Sequence, residues 1–300
     1  MQPQPPVTYQ CEFCRCASVV EPGLTRSCPA CGAPLEVRHL VSDSGWVQLP
    51  PVVDMAHIQF GRSSVQIEGT TVPIADFKLD RDDRIYFAHH RLVWADTDVR
   101  LAARKDRNGY LKRTLAGMPL YMVSATGPGH VALSDNHVGE IVSLPLSSGH
   151  GIWVREHVFL GATDNIGYDP KKNGLYLVYR NGSDTEYEYP IGQYDDVFFA
   201  HNAPGLLLLH SPGNTMLRDL APGERILVQP RSLLYRDLSV TPSLVIEYPR
   251  RSQVWTSRID RRHCWLDLCG PGRVAISSKY AYEPMSSSTL RRGYSYELRW

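Results

Sequence analysis

The chain has 300 residues, with 32 Lys and Arg against 31 Asp and Glu, a net charge of +1 and 43% apolar residues. That length holds one large domain, or a small module ahead of a larger one, with enough apolar material to bury a full core. The near-neutral balance excludes a protein that binds nucleic acid over its whole surface, and the apolar content excludes wholesale disorder.

The first ten residues, MQPQPPVTYQ, have no basic segment followed by an apolar one, so no secretory signal is expected. The four leucines Leu206–Leu209 fall far short of the roughly 20 apolar residues a spanning helix needs. A soluble, cytoplasmic protein is the expectation.

Five of the seven cysteines lie in the first 31 residues. Cys11 and Cys14 form one C-x-x-C pair, and Cys28 and Cys31 form a second after thirteen intervening residues. Each pair can aim two sulfurs at one ion from a tight turn, and two pairs complete a tetrahedron. Cys16 is an alternative to Cys14 with a looser spacing. Pro29 and Gly32 support the second turn, and Glu21-Pro22-Gly23 supplies another. Four thiolates leave no open position, so the expected zinc is structural, and residues 1–38 form a zinc ribbon held together by the metal. Cys264 and Cys269 are five apart, on opposite faces of any strand, and read as packing residues.

Residues 39–54 read as a linker, residues 55–285 as a β domain and residues 286–300 as a C-terminal tail. Short β-rich runs recur through the domain, among them Arg84-Ile85-Tyr86-Phe87, Tyr176-Leu177-Val178-Tyr179 and Leu244-Val245-Ile246-Glu247-Tyr248, separated by Gly, Pro, Asn and Asp. This is the pattern of an all-β fold. The stretch Leu101 to Leu115 is read as a short helix or an excursion.

Residues 79–99, 146–166 and 220–240 align without gaps. Leu79, Leu146 and Leu220 coincide, as do Ile85, Ile152 and Ile226, then Phe87, Val154 and Val228, and finally Val99, Ile166 and Val240. Seven of the 21 columns are apolar in all three windows, where composition alone gives about two. A second marker follows each window: Gly127-Pro128-Gly129, Ala203-Pro204-Gly205 and Gly270-Pro271-Gly272. Proline and a positive-φ glycine suit a type II turn. Three degenerate repeats closing around a pseudo-threefold axis are the expected architecture, with each unit covering its neighbours' strand edges.

The stretch Gly127-Pro128-Gly129-His130-Val131-Ala132-Leu133-Ser134, with Gly139-Glu140-Ile141-Val142 and Leu144-Pro145-Leu146 after it, resembles the mitochondrial-biogenesis family of altered inheritance of mitochondria protein twenty-four. Leu220-Ala221-Pro222-Gly223-Glu224 and Gly270-Pro271-Gly272-Arg273-Val274 resemble it too, and the likeness covers roughly residues 55–285. It implies a double-stranded β-helix similar to tryptophan RNA-binding attenuation protein, tripled within one chain. It implies no agreed activity, and the fold name is not evidence of RNA binding. Asp80-Arg81-Asp82-Asp83 and Ala203 depart from the family pattern, and the ribbon is an added module.

No phosphate loop, nucleophile elbow or zinc-protease helix is present. His90, His157 and Arg231 share one aligned column, a candidate anion or metal site if they converge on the axis. From Arg225 to the C-terminus there are 13 Arg and Lys against 6 Asp and Glu. Arg250, Arg251, Arg258, Arg261 and Arg262 are the densest part, a candidate surface for an acidic partner, lipid headgroups or RNA. The leading expectation is a non-enzymatic scaffold or adaptor for protein partners, with peripheral membrane contact as one setting. A nucleic-acid-binding module and a small-ligand binder or enzyme with a pocket between repeats are the alternatives.

Overall fold

The computed structural model describes residues 56–104, 122–181, 184–247 and 263–280, the strands at 7–10, 17–20, 39–40, 47–48 and 296–299, and the single residues Cys28 and Trp46. Cys11, Cys14 and Cys31 lie outside the described residues, as do residues 105–121 and the arginines Arg250, Arg251, Arg258, Arg261 and Arg262.

The described residues are all-β. The strands are β1 (Val7–Gln10), β2 (Ala17–Val20), β3 (His39–Leu40), β4 (Val47–Gln48), β5 (Ala56–Phe60), β6 (Ser63–Glu68), β7 (Ile74–Leu79), β8 (Arg84–Ala88), β9 (Leu92–Ala95), β10 (Arg100–Ala103), β11 (Met122–Thr126) and β12 (Gly129–Ser134). There follow β13 (Glu140–Leu146), β14 (Gly151–Arg155), β15 (Phe159–Thr163), β16 (Ile166–Lys172), β17 (Tyr176–Asn181), β18 (Asp184–Glu188), β19 (Tyr194–Ala200) and β20 (Gly205–Ser211). The last are β21 (Thr215–Leu220), β22 (Arg225–Val228), β23 (Leu233–Asp237), β24 (Thr241–Glu247), β25 (His263–Cys269), β26 (Gly272–Ser277) and β27 (Tyr296–Arg299). Two 3₁₀ turns, His89–Arg91 and Pro230–Ser232, interrupt them. No described helix is long and apolar enough to cross a membrane.

Pairing is antiparallel throughout. One sheet runs β10-β11-β8-β15-β20-β13, and a second runs β16-β19-β14-β23-β26-β21-β4-β3. The order β5-β6-β7-β12-β9 makes a third and β22-β25-β24 a fourth. β1 and β2 form a separate hairpin, and β18-β17-β27 form a small sheet outside the main body's order. Residues 39–54, read as a linker, contribute β3 and β4, with Met216 opposite Gln48. Residues 286–300, read as a tail, contribute β27, where Tyr176 faces Arg299. Within the Leu101–Leu115 stretch, residues 101–103 are strand.

The central strands β8, β15, β19, β20 and β23 bury both faces, and period-two alternation splits their side chains between cores. On β20, Leu206 and Leu208 belong to one buried cluster, with Phe77, Ile85, Phe87 and Leu133, while Leu207 and Leu209 belong to a second, with Phe159, Phe198 and Leu234. β8 divides the same way: Ile85 and Phe87 join the first cluster and Tyr86 the second. A third cluster gathers Leu220, Val228, Val240, Leu266 and Leu268. Cys28 is buried and belongs to the first cluster.

Two of the three Pro-Gly turns differ from the type II geometry expected. Gly127-Pro128 and Gly270-Pro271 are cis, and Gly129 and Gly272 take φ of 132° and 135°. The reason for glycine is close approach as well as φ. A Cβ at Gly129 would stand 2.9 Å from Val99 Cγ2, and one at Gly272 2.9 Å from Val240 Cγ2. At Gly205 it would stand 2.5 Å from Ile166 Cδ1. The residue after each glycine is held alike. His130 N–H donates to Asp96 Oδ2 (2.8 Å), Leu206 N–H to Thr163 Oγ1 (3.0 Å) and Arg273 N–H to Asp237 Oδ2 (2.7 Å). Thr163 is buried, so Thr163→Val, which keeps the shape and removes the acceptor, is expected to lower stability by about 1–3 kcal/mol in chemical denaturation. An unchanged midpoint would show that the Leu206 N–H finds another partner.

Candidate functional site

Among the described residues, the largest convergence of ionisable side chains lies where β8 meets β15. Arg91 comes from the first 3₁₀ turn, Asp135 and His137 from the link between β12 and β13, and His210 from the end of β20. The side chains of Arg91, Asp135 and His210 are all more than nine-tenths buried. Arg91 Nη1 contacts Asp135 Oδ2, and Arg91 Nη2 donates to the His157 carbonyl at 2.7 Å. His210 Nδ1 lies 3.2 Å from Asp135 Oδ2 and His137 Nδ1 2.6 Å from Asp135 Oδ1. Close packing requires a glycine here: a Cβ at Gly139 would stand 2.6 Å from His210 Nε2 and 2.1 Å from the Ser211 carbonyl oxygen.

Burial alone would raise the Asp135 carboxyl. The hydrogen bonds from His210 and His137, then the charges of His210 and Arg91, overcome it and hold Asp135 well below the usual carboxylate range. Hydrogen bonding to Asp135 raises exposed His137 above the ordinary histidine value. Burial and then the Arg91 charge lower His90.

The aligned column is therefore placed in two parts. His90 lies within electrostatic reach of His157, which sits between β14 and β15 with φ of 70°. Arg231 lies in the second 3₁₀ turn beside Arg155, whose Nη1 donates to the Arg231 carbonyl. What the column presents to its neighbours is backbone: the carbonyls of His157 and Arg231 each receive a guanidinium from the preceding window. Among the described residues, no three His, Cys, Asp or Glu side chains form a group suited to a metal.

A second buried pair lies where β14 meets β23. Arg236 Nη2 donates to Asp195 Oδ2 at 3.3 Å and Arg236 Nη1 to the Val240 carbonyl at 2.8 Å. The Arg236 guanidinium also lies 4.8 Å from the centre of the Trp153 ring. Burial pushes Asp195 up and Arg236 down, and their pairing opposes both shifts. Burial and then Asp195 raise Glu156. An open cleft of about 520 Å³ is lined by Asp82, Asp83, Arg84, Asp164 and Asn165 among others. Its Asp164 accepts from Arg104 at 3.1 Å, and Ser63 donates to Asp83. Cys264 is pushed up to about 11 by burial and then by Glu188, which keeps its thiol protonated, as a packing residue should be.

These groups hold strands to one another. Asp135 is depressed and held by Arg91, His210 and His137, the reverse of a general base tuned near neutral pH. Sequence reasoning reached His90 and His157 but missed Asp135 and His210, 75 positions apart, because only strand order joins them.

The fold and its sites define an all-β protein of stacked antiparallel sheets whose buried charges serve the strand junctions. The sequence pattern of the family described as Mitochondrial biogenesis AIM24 matches residues 65–279, and the chain belongs to that family. Among solved structures, the crystal structure of protein SPYM3_0169 from Streptococcus pyogenes is similar, with a TM-score of 0.52, 17% identity, and coverage of 73% of this chain and 94% of that one. That likeness concerns the fold. No curated protein matches the chain.

A carboxyl depressed on folding contributes stability that is complete above its unfolded value, near pH 4, and is lost as pH falls toward the folded value. The raised His137 works oppositely: its contribution is present below about pH 6.5 and lost as pH rises through the folded value. Asp135→Asn leaves the buried Arg91 uncompensated and is expected to lower stability by roughly 3–5 kcal/mol. NMR titration should show His137 above the ordinary histidine value in the wild type and lowered toward it in Asp135→Asn, where the hydrogen bond to the residue-135 backbone carbonyl remains. An identical titration in both would remove Asp135 as the cause.

Proposed function

We propose that this protein is a non-enzymatic scaffold, a zinc ribbon joined to a threefold-duplicated β body that makes protein contacts through strand edges. The observation that carries the reading is a contrast. The buried charges are committed to holding strands together, while the outer strands β9 and β22 expose Val93, Trp94 and Leu227. Exposed apolar strand edges are ready-made pairing surfaces.

Three features support the threefold duplication. Each window begins at the end of the first strand of a set of six in the same order: β7–β12, then β13–β16 with β19 and β20, then β21–β26. In each set the first, sixth and third strands are hydrogen-bonded neighbours, as are the second, fifth and fourth. Two three-stranded sheets per unit is the arrangement expected of a short double-stranded β-helix. Asp96, Thr163 and Asp237, which accept the equivalent N–H groups, occupy one aligned column.

The ribbon rests on Cys11, Cys14, Cys28 and Cys31. The β1–β2 hairpin, with Gln10 opposite Ala17, brackets the first C-x-x-C pair, and Cys28 of the second pair is buried. Thiolates so arranged suit a closed zinc site that stabilises the module. Metal analysis of the purified full chain should find one zinc ion per chain, and Cys11→Ser/Cys14→Ser should abolish it. This variant is preferable to one at Cys28, which is shared with the β core. A metal-free wild type, purified without chelator, would end the zinc assignment.

The scaffold reading is tested by comparing proteins captured by the wild type, by Cys11→Ser/Cys14→Ser and by Leu227→Lys. Leu227 is exposed, so the lysine leaves the core intact. Leu227→Lys should lose wild-type partners while keeping its melting temperature. A partner set unchanged in both variants would sink the reading.

A further inference from the structure

We infer that β22 of one copy of this chain pairs with β9 of a second copy, so that copies join head to tail. The inference rests on the scaffold reading and names the partner of the same edges.

Two junctions inside the chain define what such an edge takes. At the first, β8 meets β15 with Ile85 opposite Thr163, Tyr86 opposite Ala162 and Phe87 opposite Gly161. At the second, β14 meets β23 with Ile152 opposite Asp237, Trp153 opposite Arg236 and Val154 opposite Tyr235. In aligned columns these are the same register. The third member of each class, β22 on one side and β9 on the other, is a sheet edge: β22 pairs with β25 and β9 with β12.

Burial identifies what is missing. The column of Val93 contains Leu160 and Leu234, both 0% exposed, whereas Val93 is 55% exposed. Leu160 is buried in the first core cluster, with the strands of the preceding unit, and Leu234 in the second. The column of Leu227 contains Tyr86, 0% exposed and buried in the second cluster, and Trp153, partly buried, while Leu227 is 56% exposed. Val93 and Leu227 are thus apolar residues at positions that a neighbouring unit covers elsewhere in the chain. The surface that fits β22 is one shaped like β9, and the chain carries it at its other end. The implied register places Ile226 opposite Asp96, Leu227 opposite Ala95 and Val228 opposite Trp94.

Each chain then offers one donor and one acceptor edge at different places. Such a heterologous contact builds a ring of copies if the rotation closes and an open filament if it does not.

The test uses full-length chains carrying Ala95→Cys or Leu227→Cys, mixed under mild oxidation, with the wild type as control for native cysteines. Directly opposed residues on antiparallel strands are close enough to be bridged. A covalent dimer should form in the mixture and in neither variant alone. Light scattering of the wild type should give a mass above the 33.8 kDa monomer, and Leu227→Lys should weaken self-association by about tenfold or more. A monomer across the whole dilution series overturns the inference. So does an Ala95→Cys/Leu227→Cys chain that bridges only within itself, since the two edges then close on each other. If the chain is monomeric yet Leu227→Lys still loses other protein partners, the second copy is wrong and the scaffold reading stands. If neither self-association nor partners change, both fall.

Discussion

Burial of strands on both faces is the constraint on which the rest depends. Leu206, Leu207, Leu208 and Leu209 alternate between two cores, so β20 cannot be moved without disturbing both. A strand buried on one face alternates apolar and polar residues; one buried on both reads as a continuous apolar run. A one-residue slip would exchange the two sets of leucines, and neither cavity has the other's shape. The cores are therefore coupled through shared strands.

That coupling creates a polar problem at each junction. The link between β14 and β15 and the second 3₁₀ turn each leave a backbone carbonyl facing a neighbour. Arg91 donates to the His157 carbonyl, and Arg155 to the Arg231 carbonyl. A buried guanidinium needs a counter-charge, which Asp135 supplies to Arg91. The histidines around Asp135 then follow from the carboxylate: His210 fills one oxygen's remaining site and His137 the other's. The cluster looks like chemistry, but its order of causes begins with an unpaired carbonyl.

Much of this was legible in the sequence and some was not, for definite reasons. The all-β class was visible in the short β-branched runs and turn residues. The columns of Ile85, Ile152 and Ile226 were visible because each residue sits in a strand facing a core, where only apolar side chains fit. The Pro-Gly turns were visible as turns, but composition does not distinguish the type II geometry from the cis one found at Pro128 and Pro271. His90 and His157 were visible through their column, but the hydrogen bond from Arg91 to the His157 carbonyl was not. Carbonyls leave no trace in a sequence. Asp135 and His210 meet only because β20 lies between β15 and β13, a consequence of strand order that no local spacing encodes.

The two internal junctions also account for the exposure of Val93, Trp94 and Leu227. At an internal junction a strand edge is consumed, so its outward side chains become core. On the outermost strands the same columns retain their apolar character: Val93 beside Leu160 and Leu234, Leu227 beside Tyr86 and Trp153. A solvent edge of a monomer is ordinarily blunted by charge or proline. β22 begins with Arg225, but its side chain is turned to Asp267 on β25, leaving Leu227 uncovered. On β9, Trp94 stacks over His130, their ring centres 6.2 Å apart, and Val93 stands beside it with no charge on the strand itself. Two edges kept apolar, in the aligned columns that elsewhere join β8 to β15 and β14 to β23, have the character of unused junctions rather than of finished surfaces.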